Sequence, residues 1–453
     1  MPSTQAPLAG PTWLVAVHGG AGYHSTQRAS EKSVKQALRS ACASAVEVLT
    51  NSRAARVDAI ECAIRTLEDS ECLNAGKGSN LTYDGGVECD ASIMDGILQN
   101  FGSVGAVQGV KNSISVARVL MDNVSKPQPL GRVPPLTLVG HGAHAFARSC
   151  GLQTVDPDFL ITDGARQTWQ SWRKRYEEYS SSDVDPETGV LKQTPYKSRR
   201  SSGEDEVIQE EPNDDAMFED TVGAVVCDDD SGMAAGVSSG GLLLKYPVSS
   251  IPVLWFSSCS VPFNIEAAVF GAGTWAHSPV DATTGVACSV SGTGEAIVRT
   301  SLARKLATAL DAAPPESAHD TVHAVLKEFC EDCRARGDDN PRSGVLLVTK
   351  EPVVDDDDND GDREVDFDRS SDVGVTLAAD HVEPVNTQAA VIRDATGHSE
   401  CEPKSVQYIT RLNPRSRLRL WCAFTTHSMA LAYASSVDPK PQARTHSTPV
   451  STY

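Results

Sequence analysis

The stretch Phe218-Glu219-Asp220-Thr221-Val222-Gly223-Ala224-Val225-Val226 places a threonine at the start of an apolar run, directly after a strongly acidic segment. The apolar run is typical of a buried β-strand. If the chain were cut before Thr221, this residue would carry a free α-amine with a pKa of about 7.7–8.0. Such an amine can remove the proton from the hydroxyl of the same residue and activate it as a nucleophile. A structural strand that simply begins with threonine is the alternative, and the rest of the chain must distinguish the two.

The composition is that of a folded protein with a large core, since 40% of the 453 residues are hydrophobic and 22% are charged. The net charge of −20 is concentrated in two segments, 203–220 and 353–368, each with nine acidic residues. It therefore says little about partners of the remaining chain. The first residues lack the pattern of a signal peptide, and no apolar run approaches the ~18 residues of a membrane span. With twelve scattered cysteines, this favours an intracellular protein with reduced thiols and no membrane partner.

Strands and helices are predicted on both sides of a Ser-, Glu-, Asp- and Pro-rich linker that begins near residue 179. A strand over 13–17 should end in a glycine-rich turn at His18–Gly22. Apolar periodicity before the linker predicts helices over 30–50, 54–69, 113–121 and 141–149, and strands over 87–94, 102–107 and 136–139. After the linker, strands are predicted at 222–226, 233–237 and 344–348 and within 405–435. This order favours an α/β fold in which strands from both halves share sheets covered by helices.

The chain divides into two parts of one catalytic domain, with segments of different composition around them. We predict a flexible N-terminus (1–11), the first part of the domain (12–178), an acidic disordered linker (179–220), the second part (221–350), an acidic insertion (351–404), closing strands (405–435) and a flexible tail (436–453). Residues 248–265 form an atypical insertion within the second part.

Six motifs follow one another along the chain. They are Val17-His18-Gly19-Gly20-Ala21-Gly22-Tyr23-His24-Ser25, Asn74-Ala75-Gly76-Lys77-Gly78-Ser79-Asn80-Leu81, Glu88-Cys89-Asp90-Ala91-Ser92-Ile93-Met94-Asp95-Gly96, Asp220-Thr221-Val222-Gly223-Ala224-Val225, Ser238-Ser239-Gly240-Gly241 and Thr425-Thr426-His427-Ser428-Met429. Together they resemble the N-terminal nucleophile hydrolases of the plant-type asparaginase family, and within it they are most similar to the threonine aspartases (taspases). The resemblance implies a four-layer αββα sandwich and a precursor that cleaves itself between Asp220 and Thr221. Thr221 would then be the nucleophile and its α-amine the base.

The same resemblance implies further catalytic residues. Ser239 matches a second hydroxyl that orients the nucleophile, and Asn74 matches an asparagine near it. The Thr293 hydroxyl and the Gly294 backbone N–H match the oxyanion donors of the family. Donors of this kind typically supply about 3–4 kcal/mol each to the transition state.

Contacts to substrate, ions and subunits are also implied by the resemblance. Glu266 stands where asparaginases place an acid for the free amine of the substrate, and Gly292 is expected in the same substrate pocket. Backbone carbonyls of Leu67–Lys77 correspond to a loop that holds sodium in related asparaginases. No other metal and no organic cofactor is expected. The α and β subunits produced by self-cleavage should stay together and form a homodimer.

One part of the family pattern is missing. The family continues its Ser/Thr-Gly-Gly turn with Lys-x-Pro-Gly-Arg-x-Gly, in which the arginine binds the carboxylate of the substrate. This chain has Lys245-Tyr246-Pro247 and then the uncharged stretch 248–265, before the pattern resumes at Glu266. A planar, bidentate arginine is hard to replace in carboxylate recognition. The stretch is either a divergent insertion that weakens recognition of aspartate or intron sequence translated in frame, and the clean resumption of the pattern favours the second.

Three functions are consistent with these motifs. The leading hypothesis is a self-activating threonine endopeptidase that cleaves protein substrates after Asp, because Asp220 precedes its own cleavage site. An isoaspartyl peptidase or asparaginase acting on small β-aspartyl compounds is the first alternative, and the acid at Glu266 favours it. A catalytically inactive binding protein is the second, because the arginine is missing.

Localisation in the nucleus and/or cytoplasm is an expectation from the resemblance. Two basic clusters, Arg173–Arg175 and Lys197–Arg200, match a split nuclear-import signal, although a solvated charged loop explains them equally well. No nucleic-acid partner is expected.

Overall fold

The computed structural model describes residues 12–22, 28–53, 55–182, 221–228, 232–248, 266–279, 284–338, 340–352, 403–413, 416–426 and 428–447. The predicted N-terminal segment 1–11, the linker from residue 183 onward, the stretch 249–265 and residues 353–402 of the acidic insertion lie outside the described residues. Asp220 and His427 lie outside them as well.

Within the described residues, the larger sheet has eight strands, drawn from both sides of the linker. In their order across the sheet, and numbered along the chain, they are β13 (Gln442–Ser447), β12 (Ser428–Ser435), β1 (Leu14–Gly22), β5 (Val222–Cys227), β6 (Met233–Ser239), β2 (Cys89–Asp95), β3 (Asn100–Val107) and β4 (Thr137–Val139). Neighbouring strands are antiparallel, except that β3 and β4 are parallel.

In the part of the chain that the structure describes, the smaller sheet has five antiparallel strands, all from after the linker. Their order is β10 (Lys404–Asn413), β11 (Ser416–Phe424), β9 (Ser343–Pro352), β8 (Gly285–Gly292) and β7 (Thr274–His277).

Helices cover the outer face of each sheet. Those over the larger sheet are α1 (Arg28–Asn51), α2 (Arg56–Glu68), α3 (Ser113–Val124) and α4 (Gly140–Ser149), and those over the smaller sheet are α6 (Gly294–Thr300), α7 (Leu302–Ala312) and α8 (Ala318–Ala335). A further helix, α5, spans Asp163–Ser182, so residues 179–182, predicted as the start of the disordered linker, are helical instead. The helices predicted before the linker are therefore present, with ends displaced by a few residues.

The alternation of side chains in β1 explains the layers. Val15 and Val17 pack with apolar residues of α1 and α2 on the outer face. Leu14 and Ala16 point to the opposite face, where they pack with Leu346 and other residues of the smaller sheet. Successive side chains of a strand face opposite sides, so a strand that is apolar throughout is buried on both. The two sheets thus pack face to face between two helical layers, which confirms the predicted α/β fold, a four-layer αββα sandwich.

The turn predicted at His18–Gly22 is wrong, because β1 continues through it. The pairing of β1 with β12 shifts register between His18 and Ala21, where the strand bulges. Gly20 has a φ of 106°, which a residue without a side chain adopts readily. Glycines that predict a turn therefore accommodate a bulge inside a strand in this case.

The predicted flexible tail 436–453 also needs correction, because it contains β13 (Gln442–Ser447). This strand lies at the edge of the larger sheet and pairs with β12 through its backbone. Only one of its six residues, Ala443, is apolar. An edge strand of this composition lacks the apolar alternation by which sequence patterns identify strands.

Candidate active site

Thr221 is completely buried (0% exposed) immediately before β5. The antiparallel pairing of β5 and β6 puts Val222 opposite Ser238, so Thr221 lies beside Ser239. The Oγ1 atom of Thr221 is 3.2 Å from Ser239 Oγ and 2.7 Å from Glu266 Oε1. The structure therefore brings together three residues that are far apart in sequence, at an end of the larger sheet.

The hydroxyl groups of Thr221 and Ser239 form a directed pair. Thr221 has one hydroxyl proton and can donate it to only one of its two neighbours at a time. Both contacts have the geometry of a bond donated by Thr221, so Ser239 Oγ and Glu266 Oε1 are alternative acceptors of this proton. Ser239 Oγ itself accepts the backbone N–H of Gly241 at 3.0 Å, which fixes the position of this oxygen. Ser239 can thus orient the Thr221 hydroxyl.

Asn74 holds the turn that follows Ser239. Its Nδ2 donates to the Gly241 carbonyl at 3.0 Å, and the Gly240 N–H donates to the Asn74 carbonyl at 2.8 Å. Its Oδ1 accepts the Asn80 N–H at 2.8 Å. The turn packs so closely that a Cβ atom on Gly240 would collide with Asn74 Oδ1 and lie 2.5 Å from Ser79 Cβ. The described contacts of Asn74 therefore reach Thr221 only through the Ser239–Gly241 turn.

Gly292, Thr293 and Gly294 join the end of β8 to the start of α6. Thr293 is the N-cap residue of α6, and its N–H donates to the Arg342 carbonyl at 2.9 Å. Gly292 has a φ of 139°, and a Cβ there would collide with the same carbonyl. The next residue of α6, Glu295, acts electrostatically on Glu266. The start of α6 is thus connected to Thr221 through Glu295 and Glu266.

Glu266 is a buried acid (2% exposed) in a short 3₁₀-helix, Glu266–Ala268. Burial raises the pKa of Glu266 to about 8; the hydrogen bond from Thr221 opposes this shift, and the charges of Glu295 and Asp90 add to it. Its second oxygen, Oε2, has no hydrogen-bond partner among the described residues. A cation placed beside it would be strongly favoured.

Lys245 is the cation that sequence motifs place nearest to the missing arginine. Its Nζ donates to the Glu88 carbonyl at 2.7 Å and to the Gly240 carbonyl at 3.0 Å. Lys245 is 5% exposed, and its charge lowers the pKa of Asp90, which burial raises to about 6. Because it is held by these contacts, Lys245 does not substitute for an arginine that binds the substrate.

Sequence reasoning did not identify Glu68 and Asp90 as residues of this region. It also did not predict that Lys245 has a structural role. Glu68 accepts the Ser238 hydroxyl at 2.6 Å, and burial raises its pKa to about 7. Glu68 follows Ile60 and Ile64 at spacings of four, on the apolar face of a predicted helix, and Asp90 stands between Cys89 and Ala91 in a predicted strand. A charged residue at a position that the pattern predicts to be buried is the signal that could have identified them.

The loop expected to hold sodium packs tightly at Gly78. The oxygens of Glu71 and Leu73 lie 2.6 and 2.9 Å from the point that a Cβ atom would occupy on Gly78, whose φ is 100°, so this position requires a residue without a side chain. A structural sodium in this loop stays a prediction. Among the described residues, no group of three or more His, Cys, Asp and Glu side chains could hold a metal ion.

No helix in the described part of the chain is both long and apolar enough to cross a membrane.

Comparison with known proteins adds independent information. A family model described as asparaginase matches residues 11–250. A probable isoaspartyl peptidase/L-asparaginase of Arabidopsis thaliana is 32% identical over 302 residues, which cover 66% of this chain and 81% of that protein. A plant-type L-asparaginase of Pyrococcus furiosus is 34% identical over 294 residues, which cover 64% and 77%.

A third relative, an isoaspartyl peptidase/L-asparaginase of Danio rerio, is 30% identical over 320 residues, which cover 70% of this chain and 82% of that protein. The names of these three relatives refer to isoaspartyl peptidase and asparaginase rather than to threonine aspartase. The matches therefore agree with the motifs on the family but favour a different member of it.

Proposed function

This chain belongs to the asparaginase family of N-terminal nucleophile hydrolases, and we propose that it is a self-activating threonine hydrolase of β-aspartyl compounds. Isoaspartyl peptides and asparagine are the substrate class. The observation that carries this proposal is the position of the Thr221 hydroxyl, 2.7 Å from a buried acid and 3.2 Å from a second hydroxyl.

Turnover begins with the amine of a Thr221 that has become a chain end. The amine removes the Oγ proton, and the oxygen attacks the β-carbonyl of the substrate. Thr293 and Gly294 stabilise the negative charge that develops on the carbonyl oxygen. The leaving amine takes up the proton, and water then hydrolyses the ester to release aspartate and restore the threonine. Ser239 keeps the nucleophile oriented throughout.

Glu266 supports the small-substrate activity. In a β-aspartyl compound, the carbonyl that is attacked and a free α-ammonium group belong to the same residue. An acid that contacts the nucleophile is in position to bind this ammonium group in a charge-assisted hydrogen bond. The names of the relatives support the same choice.

An endopeptidase that cleaves after Asp, as in the threonine aspartases, is the second candidate. It is favoured by Asp220 directly before Thr221, because the bond cut in the precursor would then be a model for the bond cut in the substrate. In an intact protein substrate, however, the amine of the aspartyl residue is a neutral amide. Glu266 would gain no cationic partner from it.

Self-cleavage would leave two subunits within one sheet. The strands β5 and β6 lie between β1 and β2, so each fragment contributes interior strands of the larger sheet. We propose that the α and β subunits remain associated for this reason, that two such pairs form a homodimer, and that the protein acts in the nucleus and/or cytoplasm.

Denaturing gels and substrate assays test the proposal. The purified chain should run as two fragments, the second beginning at Thr221, whereas Thr221→Ala should stay intact. The processed protein should then release aspartate from β-aspartyl-leucine and from L-asparagine more efficiently than it cleaves a quenched peptide with a single internal Asp.

The opposite order of efficiencies would favour the Asp-specific endopeptidase. A wild-type chain that stays intact and hydrolyses none of the three substrates would overturn the enzymatic proposal and favour the inactive binding protein.

A further inference from the structure

Self-cleavage of the precursor requires a base that the mature site cannot supply. In the uncut chain, the nitrogen of Thr221 belongs to the peptide bond with Asp220, and an amide nitrogen does not take up protons near neutral pH. The α-amine that serves turnover exists only after this bond is broken. Another group must therefore remove the Oγ proton when Thr221 attacks the Asp220 carbonyl.

Two oxygens lie within hydrogen-bond distance of Thr221 Oγ1 in the described structure, those of Ser239 and Glu266. The Ser239 hydroxyl is a weak base and already accepts the Gly241 N–H. The Glu266 carboxylate is closer, at 2.7 Å, and is a far stronger base. Geometry comes first in identifying a general base, which must lie within about 2.6–3.2 Å of the proton it removes.

We propose that Glu266 is the general base of self-cleavage, a role in the precursor that precedes its contact with substrate in the mature enzyme. This inference rests on the proposed self-activation. It assigns Glu266 a function in maturation in addition to substrate binding.

Glu266 alone can accept the proton and return it during this reaction. The Glu266 carboxylate accepts the Oγ proton as the Thr221 oxygen bonds to the carbonyl carbon of Asp220. When the tetrahedral intermediate collapses, the bond from that carbon to the Thr221 nitrogen breaks, and Glu266 returns the proton to the nitrogen. The product is an ester and a free amine. Water then cleaves the ester, giving a carboxylate on Asp220 and a hydroxyl on Thr221.

The surroundings of Glu266 tune its basicity. Burial raises its pKa to about 8, and the charged groups that act on it are Glu295 of α6 and Asp90 of β2. The neighbouring residue of β6, Ser239, is neutral. The positive charge of Lys245 in turn lowers the pKa of Asp90. Because only the ionised carboxylate can accept a proton, self-cleavage should be slow in acid and accelerate as the pH rises.

Processing kinetics of the full chain test this assignment. The precursor is synthesised in a cell-free system at about pH 6 and moved to buffers between about pH 5.5 and 9.5, and the fragments are quantified on denaturing gels. We expect the wild-type rate to rise with pH, to reach half of its maximum near pH 8 and to level off about one pH unit above that. In Glu266→Gln we expect a loss of about 10²–10⁴-fold, and in Glu266→Asp a partial recovery.

Glu68→Gln is the matched control. Glu68 is also a buried glutamate, it contacts Ser238 on the same strand, and its Oε2 likewise lacks a partner among the described residues. It does not contact Thr221, so this variant should process within about threefold of the wild type. Circular dichroism and thermal unfolding of Glu266→Gln should match those of Thr221→Ala.

Hydroxylamine identifies the step that is blocked. It cleaves the ester but not the peptide bond, so it should release no fragments from Glu266→Gln if the ester never forms. Fragment release at the wild-type rate, with or without hydroxylamine, would overturn the assignment, as would a wild-type rate that is flat across this pH range. A wild-type chain that never cleaves would instead overturn the proposed self-activation itself.

Discussion

Two buried glutamates on opposite faces of β6 have the same chemistry and different neighbours. Ser238 points towards α2, where its hydroxyl donates to Glu68 Oε1 at 2.6 Å. Ser239 points the other way, towards Thr221 and Glu266. Burial raises the pKa of both acids, to about 7 for Glu68 and about 8 for Glu266. Each has one carboxyl oxygen without a partner in the described part of the chain.

The difference lies in what each acid touches. Glu68 Oε1 also accepts the Ile114 N–H at 3.1 Å, so it links α2, α3 and β6 through groups that do not react. Glu266 contacts the hydroxyl of Thr221, the proposed nucleophile. A perturbed pKa marks candidates for function, but here only the neighbouring residue separates a structural acid from a reactive one.

The largest expected effect is a difference between two serine variants, one on each face of β6. Ser239→Ala should lower kcat/KM for β-aspartyl-leucine by about 10²–10³-fold, because the nucleophile loses the hydroxyl that orients it, an effect similar to the loss of one oxyanion donor. Ser238→Ala should change kcat/KM by less than about threefold. Steady-state kinetics on processed protein, with the extent of processing checked on gels, measure both.

Equal losses of kcat/KM in the two serine variants would show that the two faces of β6 are equivalent for catalysis and would contradict the comparison.

The second prediction concerns how the free energy of unfolding changes with pH. Glu68 has a pKa of 4.5 when exposed and about 7 in the fold, so the folded state binds its proton more tightly than the unfolded state. The stability from this proton is fully present below about pH 4.5 and is lost as the pH rises to about 7, by about 3 kcal/mol at most. In Glu68→Gln, where this side chain cannot titrate, the free energy of unfolding should decrease less over the same pH range.

Urea unfolding at about pH 5 and about pH 8 measures this difference in the free energy of unfolding. The Thr221→Ala background keeps the chain uncut in both samples. Glu266 and Asp90 titrate equally in the two proteins, so the difference isolates Glu68. An identical pH dependence in both would mean that Glu68 does not titrate differently on folding.

The smallest effect is expected at the turn Ser239–Gly241, which packs against Asn74. In Gly240→Ala the new methyl group would collide with Asn74 Oδ1 and approach Ser79, which should cost about 1–3 kcal/mol of stability and lower kcat. In Gly164→Ala, where nothing lies within 4 Å, a helical position should become more stable by about 0.5–1 kcal/mol. Thermal unfolding and kinetics of both variants decide whether tight packing at the turn is required.

Most strands and helices could be predicted because burial shows in the local sequence, whereas the four-layer sandwich was implied by the resemblance to the family. Apolar runs such as Val222–Val226 and helical periodicity in 30–50 reflect burial directly. The bulge at His18–Gly22 and the strand Gln442–Ser447 could not, because each depends on pairing with β12. Local composition points to a turn in the first case and to a polar tail in the second.

The site was predictable in part. Motif resemblance placed Thr221, Ser239 and Asn74 together, but it gave Glu266 only a role towards the substrate. Its contact with Thr221 joins residues 45 positions apart, and the contact of Glu68 with Ser238 joins residues 170 positions apart. Contacts at such separations depend on the packing of whole layers, which no local pattern specifies.

The position of β5 and β6 between β1 and β2 also has a kinetic consequence. Before cleavage at Thr221, the larger sheet forms within one chain, and its folding does not depend on protein concentration. After cleavage, neighbouring strands of the same sheet belong to separate molecules. Refolding then becomes a second-order reaction between two fragments, favoured by high concentration. The cleaved protein would therefore persist through slow unfolding rather than through ready refolding.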